Sequence, residues 1–433
     1  MPILVHSLHA FIFLFINSLF LNSIHAQRTL HLSFDSCLSY AYGHNSTLQI
    51  AQLAVYRADA SLHSARGQLF PSINASAGEY WSKSNGQPSH DFSMGANASV
   101  TLFEGLSGWN NYRQSKLSLR QSQLQMQQSR RTVGEQVVNA YLTLLMTREK
   151  LVCQQNLLEN CQQQLSEGLL QYEVGKMIDS EYQLLLANLR RAEMEAANLK
   201  LSIEEFVLDL HVLLNLPDEV VLEIDPINLN QYDTTIPPVD LIIQRALETQ
   251  PDLSIAQMGV EIARFGVRSA RAVYFPTLSL SIGSNYYGGN QGLVDGLGHF
   301  INQGGLNNNM GFNLSIPILN YSSAKSQVRQ SKINLQQAEI ELGQKSQEFR
   351  QQVKKMYVAT QQALNNYLSA QQQEQAYRAN YRDYQKRYNE GKVGAVELLQ
   401  QQDSYLGALN DYLQSKYTFL LNMKLLELLQ TSL

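Results

Sequence analysis

Cysteines, histidines and clustered carboxylates are the side chains able to carry covalent, metal or acid–base chemistry, and this chain of 433 residues keeps them apart. Cys37, Cys153 and Cys161 are odd in number and form no CxxC pair, so they suggest neither a disulfide framework nor a zinc site. His31, His44, His63, His90, His211 and His299 are scattered rather than grouped at ligand spacing. HExxH, GxSxG, Walker and Rossmann glycine patterns are all missing from the sequence. No catalysis and no cofactor is therefore expected. A formal net charge of −4 argues against nucleic acid as a partner. What remains is electrostatics and shape, and their meaning depends on the elements that carry them.

Residues 1–26 contain the apolar run Ala10 to Leu21, followed by Ile24-His25-Ala26 before Gln27, which reads as a secretory signal peptide. Asn17 and Ser18 interrupt the run, leaving it shorter than the ~20 residues of a spanning helix, so cleavage is favoured over a retained anchor. Cys37 lies too far beyond that cleavage site to be a lipid anchor. No later stretch is continuously apolar over such a length, so strands must do any further spanning.

Compared with itself, the chain is a tandem repeat. Leu48, Ile50, Ala51 and Gln52 return as Leu253, Ile255, Ala256 and Gln257, and Ala65-Arg66 with Phe70-Pro71 return as Ala270-Arg271 with Phe275-Pro276. At a longer shift, Arg113-Gln114-Ser115-Lys116 returns as Arg329-Gln330-Ser331-Lys332, and Tyr172 with Gly175-Lys176 returns as Tyr388 with Gly391-Lys392. The extra residues fall in the Gly/Asn-rich stretch from Gly288 to Gly305, read as a loop. The expected organisation is residues 1–26 as signal, 27–217 as first repeat, 218–239 as linker and 240–433 as second repeat.

Within each repeat a long segment lacks proline, after Pro88 up to Pro217 and after Pro317 to the end. Both segments are rich in Gln, Leu, Ala, Arg, Lys and Glu, and apolar residues recur at helical spacing, as in Val137, Tyr141 and Leu144 or Val353, Tyr357, Leu364 and Tyr367. The stripe is narrow, as in helices packed in coiled-coil fashion with one face in water. Long helices are expected over about 108–216 and 322–430. Those from Gly108 to Tyr172 and from Ser322 to Tyr388 would each extend roughly 90 to 100 Å at ~1.5 Å per residue.

Strand patterns precede them, at about 72–103 and 277–320. Met94, Ala96, Ala98, Val100 and Leu102 alternate with Ser93, Gly95, Asn97, Ser99 and Thr101. Leu278, Leu280 and Ile282 alternate with Ser279, Ser281 and Gly283, and Met310, Phe312, Leu314, Ile316 and Ile318 with Asn309, Gly311, Asn313, Ser315 and Pro317. The polar faces hold no charge, each strand is expected at about ten residues, and Phe70, Tyr80, Trp81, Phe103, Tyr274, Phe275, Tyr286, Tyr287 and Tyr321 gather near the ends. These are the marks of transmembrane strands. Four strands cannot close a membrane barrel, which takes about eight, so other copies of the chain must complete it. A periplasmic coiled-coil scaffold or adaptor without a pore is the rival reading; it explains the helices but not the paired, uncharged strands.

Ala65-Arg66 with Phe70-Pro71-Ser72, Ala270-Arg271 with Phe275-Pro276-Thr277, and Arg387-Tyr388-Asn389-Glu390-Gly391 leading into Val396-Glu397-Leu398-Leu399 together resemble the TolC-like outer-membrane efflux protein family. The resemblance implies a mainly α fold with transmembrane β. A homotrimer would share a twelve-stranded β-barrel in outer-membrane lipid, continued by an α-helical barrel in the periplasm. It implies passive conduction for a tripartite efflux or type I secretion system, with a periplasmic adaptor and an inner-membrane pump as partners. Drug, metal ion and protein remain open as substrates. It further implies that the helix hairpins at Gly175 and Gly391 are periplasmic tips, with Tyr172, Lys176, Arg387, Tyr388 and Lys392 meeting the adaptor. Glu181 and Glu397 would lie at the entrance, and Gln400 stands where relatives tend to carry a second carboxylate.

Overall fold

The computed structural model describes residues 29–84, 87–227, 236–288, 293–303, 306–318 and 321–430. The expected signal peptide and residues 228–235 of the linker lie outside them, as do residues 85–86, 289–292 and 304–305 of the two loops. In chain order the elements are β1 (Thr29–Leu32), α1 (Phe34–His44), α2 (Ser46–Gly67), β2 (Ser72–Ser84), β3 (Gln87–Glu104), α3 (Ser107–Glu173), α4 (Asp179–Leu214) and β4 (Val221–Ile224). The second half continues with α5 (Val239–Thr249), α6 (Pro251–Arg271), β5 (Thr277–Gly288), α7 (Leu293–Gln303), β6 (Asn307–Ser315), α8 (Tyr321–Asn389) and α9 (Ala395–Gln430). No described helix is long and apolar enough to cross a membrane.

Two compact units emerge, and β2, β3, β5 and β6 belong to the one formed by the described residues of 47–130 and 240–354. Its sheet has the order β2-β3-β5-β6, antiparallel throughout. Register keeps the faces separate. Ala98 pairs with Ile282 and Ile282 with Met310, whereas Asn97 pairs with Gly283 and Gly283 with Asn309. The apolar face is open, with Ile73, Ile282, Met310, Phe312 and Leu314 all exposed. On the other face Asn97, Asn285 and Asn309 form a row of amides, each neighbouring pair 3.5 Å apart. Glycine at 283 makes that row possible, since a Cβ there would stand 2.5 Å from Asn97 Oδ1 and 2.6 Å from Asn309 Oδ1. A bulge between Thr101 and Phe103 lies near the end where the strands meet the helices.

Three expectations require correction here. β3 has 18 residues and β2 has 13, because their hairpin continues past the uncharged band into Glu79, Lys83, His90 and Asp91. β6 stops at Ser315, so Ile316 and Ile318 are not strand residues; Pro317 cannot donate to a ladder. The stretch from Gly288 to Gly305 is not all loop, for it contains α7. Phe300 of α7 packs against Tyr286, ring centroids 5.5 Å apart, and Gly296 comes up against Phe92.

The other unit comprises the described residues 29–46, 131–227, 236–239 and 355–430. Here the apolar stripe of α3 runs through Val133, Val137, Tyr141 and Leu144 and on to Leu157. A short parallel pair, β1 with β4, ties the chain before α1 to the segment following α4. Tyr141 is wholly buried beneath it. Its hydroxyl donates to the Asp225 carbonyl at 2.8 Å, and Phe34 meets its ring edge-on at 5.5 Å. Asn215 ends α4 in a left-handed conformation, φ 52°, and Pro217 follows. Buried Arg131 donates to the carbonyls of Leu428 and Leu429 near the end of α9, satisfying acceptors that a helix terminus leaves open.

Candidate functional site

The two helix hairpins, α3 to α4 and α8 to α9, turn in the same way. Gly175 has φ +75° and Gly391 φ +71°, a conformation in which a side chain costs about 1–2 kcal/mol. The Gly175 amide bonds to the Tyr172 carbonyl at 3.0 Å and that of Lys176 to Gln171 at 2.8 Å. In the second copy Gly391 bonds to Tyr388 at 2.9 Å and Lys392 to Arg387 at 2.8 Å. Both are glycine-terminated helix ends with the last carbonyls satisfied. The glycines are therefore explained by the turn itself.

Around the turns, Lys176, Arg387 and Lys392 are exposed. Arg387 pairs with Asp383 at 2.8 Å and Lys392 with Glu390 at 2.6 Å. Tyr172 is 40 % exposed and stacks on Tyr182. Its repeat counterpart differs. Tyr388 is 3 % exposed, in an apolar cluster with Met177, Leu185, Tyr381, Ala395, Leu398 and Leu399, so the sequence-based expectation of a surface contact there is corrected. The shift is physical: the second-copy ring shares its cluster with Met177 and Leu185 of the first hairpin, whereas Tyr172 is left on the outer side. Burial above all, and then Glu167 and Glu181, push the Tyr388 hydroxyl pKa upward.

Glu181 and Glu397 occupy the first turns of α4 and α9, where a carboxylate favours the positive end of the helix dipole. Glu397 and Gln400 are exposed, and Glu181 is half-buried beside Gly394. The structure thus gathers these residues at the same ends of the hairpins as the tip glycines, in matching positions of the two copies.

Sequence reasoning missed a buried polar network farther along the same four helices. Tyr381 donates to Gln402 Oε1 at 3.2 Å and accepts from Gln164 at 3.3 Å and Gln385 at 3.1 Å. Gln402 donates to Asn188 Oδ1 at 3.4 Å, and Asn188 donates to Cys161 Sγ at 3.2 Å. Arg191 joins Asn188 at 2.9 Å and pairs with Asp403 at 2.5 Å. Such a network penalises any slip of one helix past another, because displaced Tyr381, Gln164, Gln402 or Asn188 would be left buried without a partner, whereas the exposed Arg191–Asp403 pair adds little. The available signal was positional: Cys161 and Gln164 lie on the stripe that includes Leu157 and Gly168.

The cysteines serve packing. Burial raises the Cys37 thiol from 9.0 to about 12, which leaves about a thousandth of the ordinary thiolate. Burial also raises Cys161 and Cys153, but only Cys153 is half-exposed. At neutral pH, N-ethylmaleimide should therefore modify Cys153 first in the native protein, and Cys37 and Cys161 only on unfolding. Mass spectrometry of labelled peptides checks this; equal rates at all three would contradict it.

The profile describing outer membrane efflux proteins matches residues 37–216 and 242–429, both copies of the repeat. The chain belongs to this outer membrane efflux protein family. The cation efflux system protein CusC of Escherichia coli is 24 % identical over 405 residues, covering 88 % of this chain and 82 % of CusC. Crystal structures of CusC match with a TM-score of 0.79 at 19 % identity, covering 92 % of this chain and 91 % of that one. VceC of Vibrio cholerae matches at 0.78 and 16 %, covering 92 % and 96 %. As a member of the outer membrane efflux protein family the chain is an outer-membrane channel rather than an enzyme, and the poreless scaffold reading falls away. Its two helix-and-strand repeats are those of the TolC-like fold.

Proposed function

We propose that three copies of the chain pool their four-stranded sheets into one twelve-stranded barrel in the outer membrane. The long helices continue it as a periplasmic tunnel, whose tips meet an adaptor coupled to an inner-membrane pump. One observation carries this: a single sheet whose apolar face is exposed at Ile73, Ile282, Met310, Phe312 and Leu314 and whose edges, β2 and β6, have no neighbouring strand among the described residues. Unpaired backbone in lipid costs several kcal/mol per group, so each β6 edge must find a β2 edge of another copy. On this reading residues 1–26 are removed on export, and repeats 27–217 and 240–433 flank the linker 218–239. Conduction is passive, and the pump supplies energy and selects the substrate. The native mass in detergent tests it: three chains of at most 48.9 kDa each in one particle is expected, and a monomer would overturn it.

At the entrance we assign Glu397 to a ring of three carboxylates that favours cations, with Glu181 beside it and Gln400 leaving the ring singly charged per chain. Exposed Tyr172, Lys176, Arg387 and Lys392, at the turns of Gly175 and Gly391, form the adaptor face. Relatives include a protein named for cation efflux, which agrees with the sign of that ring. Glu397→Gln should lower the cation preference of single channels by about two-fold or more. If the carboxylate served only the helix dipole, the variant would lose about 0.3–1 kcal/mol of helix stability and conduct with unchanged selectivity.

A further inference from the structure

α7 is an 11-residue helix with a sharply two-sided sequence. At 100° per residue, Phe300, Leu297 and Ile301 follow one another along one arc, with Asp295 on the opposite side and His299 between Asp295 and Phe300. The sheet covers only part of the apolar arc. Phe300, at one edge, lies on Tyr286, and Phe92 and Tyr286 are thereby 1 % and 3 % exposed. Ile301, at the other edge, is 75 % exposed.

The register shows which side of the sheet this is. Phe92 lies two residues from Met94 on the same strand, and Met94 pairs with Tyr286, so both α7 contacts belong to the face that carries Ala96, Ile282 and Met310. Trp81, 71 % exposed and opposite His90, marks that face at the same end of the sheet. α7 rests on β3 and β5, the two central strands, so copies joining at the β2 and β6 edges do not account for its bare side. The helices α3 and α8 leave from the other end of the sheet, which puts α7 at the external end of the barrel.

We propose that α7 is an interfacial helix that lies in the headgroup zone of the external leaflet, with its partner the acyl-chain boundary of the lipid. The apolar arc that the sheet leaves uncovered continues the lipid-facing band of the barrel, exposed Asp295 turns to water, and His299 stays against Tyr286, ring centroids 6.3 Å apart. The inference rests on the reading of the bare sheet face as lipid-facing. Against water, an exposed isoleucine at the edge of an apolar arc has no compensation; against acyl chains it has one.

The test uses tryptophan reporters in the full-length channel, with the two native tryptophans replaced as Trp81→Phe and Trp109→Phe. Ile301→Trp, Asp295→Trp and Ile282→Trp are each reconstituted in phosphatidylcholine vesicles containing lipid brominated either near the headgroup or deep in the chain. Ile301→Trp should lose about half its emission to the shallow bromines, and Asp295→Trp should be unaffected. Ile282→Trp should respond to the deep bromines. Unquenched Ile301→Trp beside quenched Ile282→Trp would overturn the interfacial helix while leaving the barrel intact, whether water or protein covers the site. Equal quenching at 301 and 295 would overturn the proposed orientation. If Ile282→Trp itself escapes quenching, the lipid-facing reading beneath the inference fails.

Discussion

Phe312→Arg is expected to remove the protein from the outer membrane. Phe312 pairs with Leu280 and Leu280 with Val100, at mid-height of the alternating band and on its bare apolar face. A cation at the midplane of a barrel's lipid face costs about 2–4 kcal/mol, and a trimer carries that penalty in every chain. Asn313→Arg is the matching control, since Asn313 pairs with Ser279 on the polar face, where a long cation meets water rather than lipid. Outer-membrane fractionation and the heat-resistant oligomer band on gels read the outcome. Chains carrying Phe312→Arg should be degraded or retained as monomers, while chains carrying Asn313→Arg assemble. Equal behaviour of the two would mean that the sheet does not face lipid as described.

The second large effect lies among the helices. Tyr141→Ala should cost about 3–5 kcal/mol, because it empties a wholly buried aromatic site and removes the edge-on contact with Phe34. Tyr141→Phe keeps the ring and deletes only the hydroxyl that donates to the carbonyl of exposed Asp225, so about 0.5–1.5 kcal/mol is expected. Thermal loss of helical circular dichroism in detergent, followed as an unfolding rate, separates them. The order wild type, Phe, Ala supports a packing role for the ring with a smaller contribution from the hydroxyl. A phenylalanine variant as weak as the alanine one would shift the main role to the hydrogen bond that secures the β1–β4 pair.

The long helices were legible because their signal is local and repeated. Proline-free runs of strong helix formers end one residue from the expected limits at both ends, Ser107–Glu173 and Tyr321–Asn389. Strand faces were legible from alternation, which the pairing of Ala98 with Ile282 and of Asn97 with Gly283 bears out. The β1–β4 pair was not legible, since four-residue strands brought together from Thr29 and Val221 leave no local trace. α7 was hidden for another reason: glycines at 296 and 298 lower its helix propensity, and packing on Phe92 and Tyr286 overrides that. At the tips, the turn glycines were readable from type and spacing, but the burial of Tyr388 was not, because periodicity does not distinguish two copies of one motif.

That last difference has an evolutionary reading. Tyr172 and Tyr388 descend from one ancestral position if the two halves arose by duplication, yet one ring has stayed at the surface and the other has become core. The first can change with whatever binds it, whereas the second is held by its neighbours. In the proposed trimer this gives an alternating crown, three exposed positions interleaved with three held by packing, where an undiverged array would have offered six alike. On the proposed docking role of these turns, a partner can then change with half of the crown while the other half holds the hairpins together.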